Sequence, residues 1–564
     1  MAETLTAEKV KENCQRLSGS WSKRNTKMKA WYNILLLTDN NTDEEMESVV
    51  SNDPRTGYNL ALHLLTSGIV NHKISIDGFS REQIVAAAGI ESYLNGQWKS
   101  INRRHMYSGK QSWNRELFSM MLAFGWYAIL APINENSVPP RMEAEIWHPA
   151  ETYPNLTSDG LMECAHIYTV SAMSANFKVR SNGWKVASPF TSQTTIYDYH
   201  FLDESGVPNN ITVMGNEIVN SIKETRLTRL PVFVGPVGGL PDTGVMSTGM
   251  NWQDHYGESI VATNEGMSEN YNKTLTFSQQ LLRDTANPRW YEKLTGNTHI
   301  LRKEDMFKRG AVFTMSTNED IGTVPMPVIP VELRSTVFDY QAMLQRGLFP
   351  YIMYGNIQQQ IAGYAMEQVA SAALQILTPY HEAFVGVLSD IDTYWSQALV
   401  SKSISLPDFN VDTKTLVVPV FVDVSHDIKI PGLDAVKAQT AKTIDPNFRL
   451  STETVIGMFY PEIKDATREM ARAHRDDAMS TPEAVSLSQI AAYQEEANAL
   501  RSAKDTKMAA LYDTLANNLL QRIKGQGQQP PQQSSVPPPP AVPGGRPTPQ
   551  NTPTVQEPPQ NTQL

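Results

Sequence analysis

Residues 255–284, "HYGESIVATNEGMSENYNKTLTFSQQLLRD", contain no proline and read as one helix, a rod of roughly 45 Å at about 1.5 Å per residue. What constrains the fold is how little of that rod is apolar. Ile260, Met267, Tyr271, Leu275 and Leu282 form one narrow line, and the rest is Ser, Thr, Asn, Gln and charge. A helix docked on a globular core shows an apolar stripe about 100° wide or more. So thin a seam raises the question of what buries this helix. From Glu332 the chain again reads as a helix, with Leu333, Val337, Tyr340, Leu344 and Leu348 in an equally thin line.

The rest of the chain frames this pair. Residues 5–38 read as a helix with a basic middle, Lys23, Arg24, Lys27 and Lys29, followed by Trp31, Tyr32 and Leu35 to Leu37. That middle is either a solvated cationic face or an arm facing a partner or DNA. After an acidic connector, Pro54 sits in the favoured first turn of an amphipathic helix. Two more helices follow, the second, "SWNRELFSMMLAFGWYAILAPI", running into an extended apolar stretch near Trp126 to Ile133. Residues 140–235 are short aromatic and β-branched runs cut by Gly, Pro, Asn and Asp, which is strand-and-turn composition. "RLPVFVGPVGGLPDTG" closes that block as a Pro/Gly-rich loop.

Beyond the polar helix, residues 285–331 read as a small mixed element with short strands, and "NIQQQIAGY" as a polar break. A broad apolar helix then starts at Ala365, with Leu374, Leu377, Phe384, Leu388, Ile391 and Trp395, and Pro379 is expected to kink it. "KTLVVPVFVDVSHDI" reads as β, and residues 451–478 and 481–524 as helical. From Gly525 twelve of forty residues are proline and charge nearly vanishes, so this tail is expected to be disordered. The fold class expected is α+β, mainly helical.

Bulk properties exclude several functions. The 564 residues suffice for several domains. A formal charge of −11 has the wrong sign for tight static binding of nucleic acid by the whole surface. Cys14 and Cys164 are too few for a disulfide framework or a cysteine-rich metal site. No apolar run approaches the ~20 residues of a membrane span, so a soluble protein with no membrane partner is expected. A phosphate-binding loop needs Gly-Lys-Ser/Thr; "GPVGGLPDTGVMSTG" (235–249) has the glycines and no lysine. "HEAFV" at His381 lacks the second histidine of a zinc protease, and there is no Gly-x-Ser-x-Gly elbow. The expectation is no enzyme, no catalytic residue, no cofactor and no metal.

The order of these elements resembles the portal, or head-to-tail connector, proteins of tailed bacteriophages. The residues that carry the resemblance are short. A helix opening on Trp113 ends at Phe124 and Gly125 and leads into a strand, in "WNRELFSMMLAFGWYAIL". "WHPAETYPNLTSDG" (147–160) follows, and then Tyr256, Gly257 and Ser259 stand where a Tyr-Gly-x-Ser step opens a long helix. The resemblance covers roughly residues 5–524.

It implies a portal-like architecture: a wing over 1–254, a first stem helix over 255–284, a clip over 285–331 and a second stem helix over 332–354. A tunnel loop over 355–364, a kinked core helix with a wing β segment over 365–450, a helical crown over 451–524 and the tail over 525–564 complete it. The implied assembly is a ring, usually of twelve subunits, at the portal vertex of the virion, assembled in the host cytoplasm. Implied partners are double-stranded DNA passing through the channel, the large terminase, head-tail adaptor or tail proteins, and capsid and scaffold proteins.

By position, Asn356, Gln358, Gln359 and Gln360 face DNA in the tunnel loop; these glutamines depart from a basic, DNA-gripping loop. In the clip, Arg302, Lys303, Lys308 and Arg309 form either a docking edge for terminase and adaptor or a solvated surface balanced by Glu292, Glu304 and Asp305. The stem seam is Ile260, Met267, Tyr271, Leu275, Leu333, Val337, Leu344 and Leu348. The alternative reading is another oligomeric phage structural protein, a capsid or tail component, or an oligomeric enzyme without motifs.

Overall fold

The computed structural model describes residues 5–39, 48–75, 79–134, 140–157, 160–223, 229–239, 257–286, 290–296, 314–324, 330–349, 374–401, 408–416, 419–426, 482–502 and 506–526, with isolated positions between some of these stretches. The chain divides into two compact units, one comprising 1–451 with 458–464 and the other 452–457 with 465–564.

The larger unit opens with two helices, α1 (Ala7–Ser20) and α2 (Ser22–Leu35), where the sequence suggested one. The break falls at Trp21 because the two have different partners. Val10, Cys14 and Leu17 of α1 join Ala165, Tyr199, Ile211 and Val213 of a sheet in one apolar cluster. In α2 the buried line is Trp21, Arg24, Met28, Trp31 and Leu35, which joins the main core. Helix α3 (Asp53–Thr66) has Pro54 in its first turn, as expected. Strand β1 (Val70–Ile74) follows. Helix α4 (Arg81–Tyr107) starts on a capping box in which the Ser80 hydroxyl accepts from Gln83 N–H and the Gln83 side chain accepts from Ser80 N–H. Helix α5 (Trp113–Phe124) is buried on nearly every face and hands over directly to β2 (Trp126–Leu130).

Short strands β3 (Ile133–Asn134), β4 (Arg141–Met142) and β5 (Glu145–Ile146) lead to β6 (Thr152–Thr157) and β7 (Gly160–Val170). Helix α6 (Ala172–Ser181) interrupts the β block, and β8 (Thr194–Leu202), β9 (Pro208–Met214) and β10 (Glu217–Lys223) complete an antiparallel sheet in the order β10-β9-β8-β7-β6. Alternate side chains point to opposite faces. Tyr199 and Val213 accordingly meet α1, while Ile196, Met214 and Val219 meet Ala175 and Val179 of α6.

The run read as a Pro/Gly loop is in part a strand, β11 (Val232–Pro236), paired antiparallel with β2. Pro236 is tolerated because β11 lies at the edge of the β11-β2-β5 sheet. Helices α7 (Glu265–Ala286) and α8 (Val331–Arg346) pack on each other. Between them in sequence, β12 (Trp290–Lys293) pairs with β13 (Asp320–Thr323). Helix α9 (Thr378–Val400) carries the widest buried face, including Phe384, Leu388, Ile391, Trp395 and Leu399. Strand β14 (Val422–His426) pairs with β1, a partnership between segments about 350 positions apart that no local pattern signals.

The fold corrects two sequence expectations. The polar helix begins at Glu265, not at 255, after a single 3-10 turn at Ala262–Asn264. Pro379 does not kink α9; it occupies the first turn of a helix that starts at Thr378, where its missing N–H costs nothing. Residues 365–373 of the expected helix lie outside the described residues. Helices are concentrated around the main core and strands in separate antiparallel sheets, so the class is α+β.

In the smaller unit the helical run splits into α10 (Pro482–Ser502) and α11 (Thr506–Gln526), which pack together. Tyr493 and Tyr512 meet with ring centroids 5.9 Å apart, and Arg501 pairs with Asp513. Among the described residues, no helix is long and apolar enough to cross a membrane.

Candidate functional site

The sequence stretches that carry the portal resemblance lie far apart in the chain, and three of them meet at one junction. Helix α5 ends on Gly125, which is left-handed at φ +65 and closes the helix with its N–H on Met121 O at 2.8 Å. The chain returns at Gly257, with φ +87. A Cβ on Gly257 would stand 2.5 Å from Trp126 Nε1 and 2.6 Å from Gly125 O. A Cβ on Gly125 would stand 2.5 Å from Glu258 N and 2.6 Å from Glu258 O. Each glycine is required because backbone of the other segment fills the space of a side chain.

Hydrogen bonds fasten this crossing. Ser259 Oγ donates to Leu122 O at 2.9 Å, and Ile260 N–H donates to the same carbonyl at 3.0 Å. Val237 N–H donates to Gly125 O at 2.7 Å, Glu258 N–H to Val237 O at 3.0 Å, and Tyr380 O–H to Glu258 O at 3.0 Å. Four chain segments are thereby tied within one turn of α5.

Trp126, the residue after the first glycine, faces the third stretch. It meets Trp21 edge-on at 5.2 Å, and the Arg24 guanidinium lies 4.4 Å from the Trp21 ring centroid and 4.9 Å from that of Trp126. Arg24 Nη2 donates to Pro149 O at 3.0 Å and Thr152 O at 2.8 Å, and Trp21 Nε1 donates to Pro154 O at 2.8 Å. The "HPAETYP" turn is thus pinned to the α1–α2 break. Arg24 is 4% exposed, and burial lowers its pKa to about 10, which leaves it charged at neutral pH. The basic middle at residues 23–29, open between a solvated face and an arm, therefore loses Arg24 to the core. A signal was present: Arg24 sits in the 21-24-28-31-35 stripe, whose other members are apolar.

From this junction the α7–α8 pair takes its root. Asn264 Nδ2 donates to Leu344 O at 2.8 Å and Thr263 Oγ1 to Gly347 O at 3.2 Å. A side chain on Gly347 would collide with the Asn264 amide. Along α7, polar side chains take up backbone groups of the incoming chain: Thr276 Oγ1 accepts from Val49 N–H at 3.1 Å and Asn272 Oδ1 from Ser51 N–H at 2.9 Å. Trp31 Nε1 donates to Glu265 at 3.1 Å. A cleft of about 200 Å³ remains beside α2, lined among others by Asn33, Thr38, Glu265, Ser268, Glu269 and Asn272. This is what a polar helix does with a thin seam: one line meets α8, and the next meets backbone N–H groups that an apolar side chain could not satisfy.

The seam residues fall as follows. Ile260 lies before α7, buried in the main core rather than on the helix. Tyr271, Leu344 and Leu348 are buried, and Met267, Leu275, Leu333 and Val337 are half-buried. Leu282 is exposed. Asn356, Gln358, Gln359 and Gln360, and likewise Arg302, Lys303, Lys308 and Arg309, lie outside the described residues, as do the greater part of 451–478 and the tail from 527.

Two buried polar clusters had no sequence signal. Asp392, fully buried on α9, accepts from Trp98 Nε1 at 2.7 Å and lies 2.5 Å from His72 Nδ1. Around Trp147, His166 stacks at 4.2 Å, and Asp198 accepts from Asn210 at 2.6 Å and Thr212 at 2.9 Å. Burial pushes the His166 pKa down to about 3 and that of His426, elsewhere in the core, to about 4. Among the described residues no group of three or more His, Cys, Asp or Glu could hold a metal ion. Both clusters are core polar contacts.

No protein-family model matches this chain, and no curated protein matches it. Among solved structures it is similar to a chain of the neck of an empty GTA particle computed with C6 symmetry, at 13% identity and a TM-score of 0.42, covering 72% of this chain and 90% of that one. It is similar to a chain of the neck of a native GTA particle computed with C12 symmetry, at 13% identity and a TM-score of 0.36, covering 73% and 90%. A chain of the virion of a native gene transfer agent particle matches at 12% identity and a TM-score of 0.40, covering 72% and 89%. Likeness at these scores carries no weight for function, which has to be read from the residues of this chain.

Proposed function

We propose that this chain is a phage portal protein, one subunit of a ring at a single capsid vertex through which double-stranded DNA enters during packaging and leaves during ejection. The observation that supports it is the junction. The Trp-to-Gly125 helix, the "HPAETYP" turn and the Gly257–Ser259 step are the residues of the portal resemblance, and they hold one another at the root of a paired polar helix. A chain that merely shared composition with portals would have no reason to bring them together.

In this reading α7 and α8 are the stem, β12–β13 belong to the clip, and the five-stranded sheet belongs to the wing. Each subunit carries a formal charge of −11. A channel that is acidic or neutral lets DNA slide, because each phosphate–lysine contact adds a trap at every step. On α7, Lys273 is already neutralised by Glu269 at 2.7 Å. The neutral Asn356 and Gln358–Gln360 of the tunnel loop touch DNA without gripping it. Arg302, Lys303, Lys308 and Arg309 form the edge that docks the large terminase and then the adaptor. The remaining partners are capsid, scaffold and tail proteins, and the protein ends in the virion.

Negative-stain imaging of the purified full chain tests the proposal. Rings with a central channel are expected, and compact monomers or dimers would overturn it.

A further inference from the structure

The cleft between α2 and α7 keeps polar groups that the fold leaves unused. Its floor is apolar, made by Ile34, Leu37, Val50 and Pro54. Helix α7 forms one wall and brings Glu265, Ser268 and Glu269 to it. Trp31 Nε1 takes only Oε2 of Glu265, and Lys273 takes only Oε1 of Glu269. Among the described residues the second oxygen of each carboxylate has no hydrogen-bond partner.

Ser268 is the independent sign of a ligand. It is 5% exposed, and its Oγ is buried without a hydrogen-bond partner among the described residues. A hydroxyl inside a helix commonly returns to the carbonyl four residues back. Thr274 does so on Asn270 O at 2.8 Å, and Thr285 on Leu281 O at 2.7 Å. Ser268, which lines the cleft between the two carboxylates, does not. A buried hydroxyl left unpaired destabilises the fold, and a donor seated against this wall removes that cost. The floor shows a related preference. Helix α2 closes with Thr38 N–H on Asn33 O at 3.1 Å, and Leu37 holds the left-handed position, φ +58, where glycine is usual. A leucine there is strained, and it supplies apolar wall to the cleft.

Carboxylates select a cation, and an apolar floor selects one carried on an aliphatic stem. Two carboxylates with no third ligating side chain are too few for a metal ion. Glu265 and Glu269 stand one turn apart on α7, a rise of roughly 6 Å, about the separation of the nitrogens in an extended four-carbon diamine. We propose that this cleft binds a small aliphatic diamine, with its chain on Ile34, Leu37, Val50 and Pro54, its ammonium groups on Glu265 and Glu269, and Ser268 Oγ accepting from one of them. Aliphatic amines, like the lysine side chain, are charged at neutral pH. The bound diamine ties α2 to α7 beside the Val49–Thr276 and Ser51–Asn272 hydrogen bonds. The cleft lies within a single chain, so this site stands or falls apart from the portal reading.

Equilibrium dialysis of the full chain against labelled butane-1,4-diamine tests it, in about 0.15 M salt so that loose counter-ion association is screened. Saturable binding at a single site per chain is expected. E265Q/E269Q is expected to weaken it about tenfold or more, because charge-assisted hydrogen bonds become neutral ones. E265Q still offers Trp31 Nε1 an acceptor, and the far-ultraviolet helix signal checks that the variant folds. E495Q/E496Q removes the same charge from exposed glutamates of the smaller unit and is expected to leave binding unchanged. Butan-1-amine, with one ammonium, is expected to bind about tenfold more weakly, and butane-1,4-diol not at all. No saturable binding by the parent chain, or binding undiminished in E265Q/E269Q, would overturn the site. Equal losses in the two double variants would make the binding a matter of net charge and overturn it as well. Butan-1-amine binding as tightly as the diamine would overturn the two-ended ligand, since a lone lysine-like ammonium would then suffice.

Discussion

Replacing Gly125 by alanine addresses the junction directly. Its φ of +65 costs an L-residue about 1–2 kcal/mol. The new Cβ would stand 2.5 Å from Glu258 N and 2.6 Å from Glu258 O, roughly an ångström inside contact, against backbone that no rotamer change can move. Forcing a packed segment aside costs about 1–3 kcal/mol. The segment displaced carries the Ser259–Leu122, Ile260–Leu122 and Glu258–Val237 hydrogen bonds, so part of their net worth of about 1 kcal/mol each is lost as well. The expected destabilisation is about 3–5 kcal/mol, or roughly 6–20 °C in Tm at about 2–4 °C per kcal/mol for a large domain. Differential scanning calorimetry reads this. The matched control is Gly96→Ala, an exposed position in α4 with nothing within 4 Å of the new Cβ, which should gain about 1 kcal/mol of helix propensity. If Gly125→Ala melts within about 2 °C of the parent, residues 257–259 do not cross α5 as tightly as the distances state, and the junction loses its standing as the fixed point of the fold.

Further predictions concern charge and the ring. Arg24→Lys keeps the charge but loses the fork that reaches Pro149 O and Thr152 O; a loss of about 2–3 kcal/mol is expected by urea unfolding, and an unchanged midpoint would refute the assignment of Arg24 to the core. His166, at about 3, and His426, at about 4, are lowered by burial, so the unfolded chain binds more protons as soon as the pH falls below the ordinary histidine value. Their stability contribution is complete above about pH 6.5 and is lost between there and pH 3–4, by about 2 kcal/mol each at pH 5. Glu145 and Glu151, raised by burial, act in the opposite direction on acidification. His166→Phe, which keeps the stack on Trp147, should therefore flatten the fall of Tm between pH 7.5 and 5, and an unchanged slope would count against it. Charge reversal at Lys303, Lys308 and Arg309 should leave ring assembly intact and abolish DNA packaging in a terminase assay, with normal packaging removing the docking role. A chain ending at Lys524 should still form rings; only monomers or aggregates would show that the tail is needed.

Legibility in the sequence followed the range of the interactions. Pro54 and the Trp113–Gly125 helix were readable because each is decided within a few residues. Leu344 and Leu348, on the seam of the second helix, are buried for the same local reason. What failed depends on partners distant in sequence. Residues 255–264 have helix-compatible composition, yet Gly257 is held at φ +87 because Trp126 and the Gly125 carbonyl occupy its side-chain space. The helix can start only after the chain has cleared that obstacle, which places its first turn at Glu265. Pro379 was misread for a related reason. Periodicity runs through it without a break, and only the turn at 375–377 makes it a beginning instead of a kink. Arg24 inverts the usual rule that a charge run is a solvated face, because two carbonyls take its Nη2 and two tryptophan rings flank the guanidinium, while Nη1 stays without a partner among the described residues. At Gly257 and Arg24 the local preference was sound, and a contact from more than a hundred residues away overruled it. Those overruling contacts cluster at one place, the α5–β2 turn, and that clustering is the physical reason to regard the turn as the part of the molecule that sets the direction in which the helix pair projects.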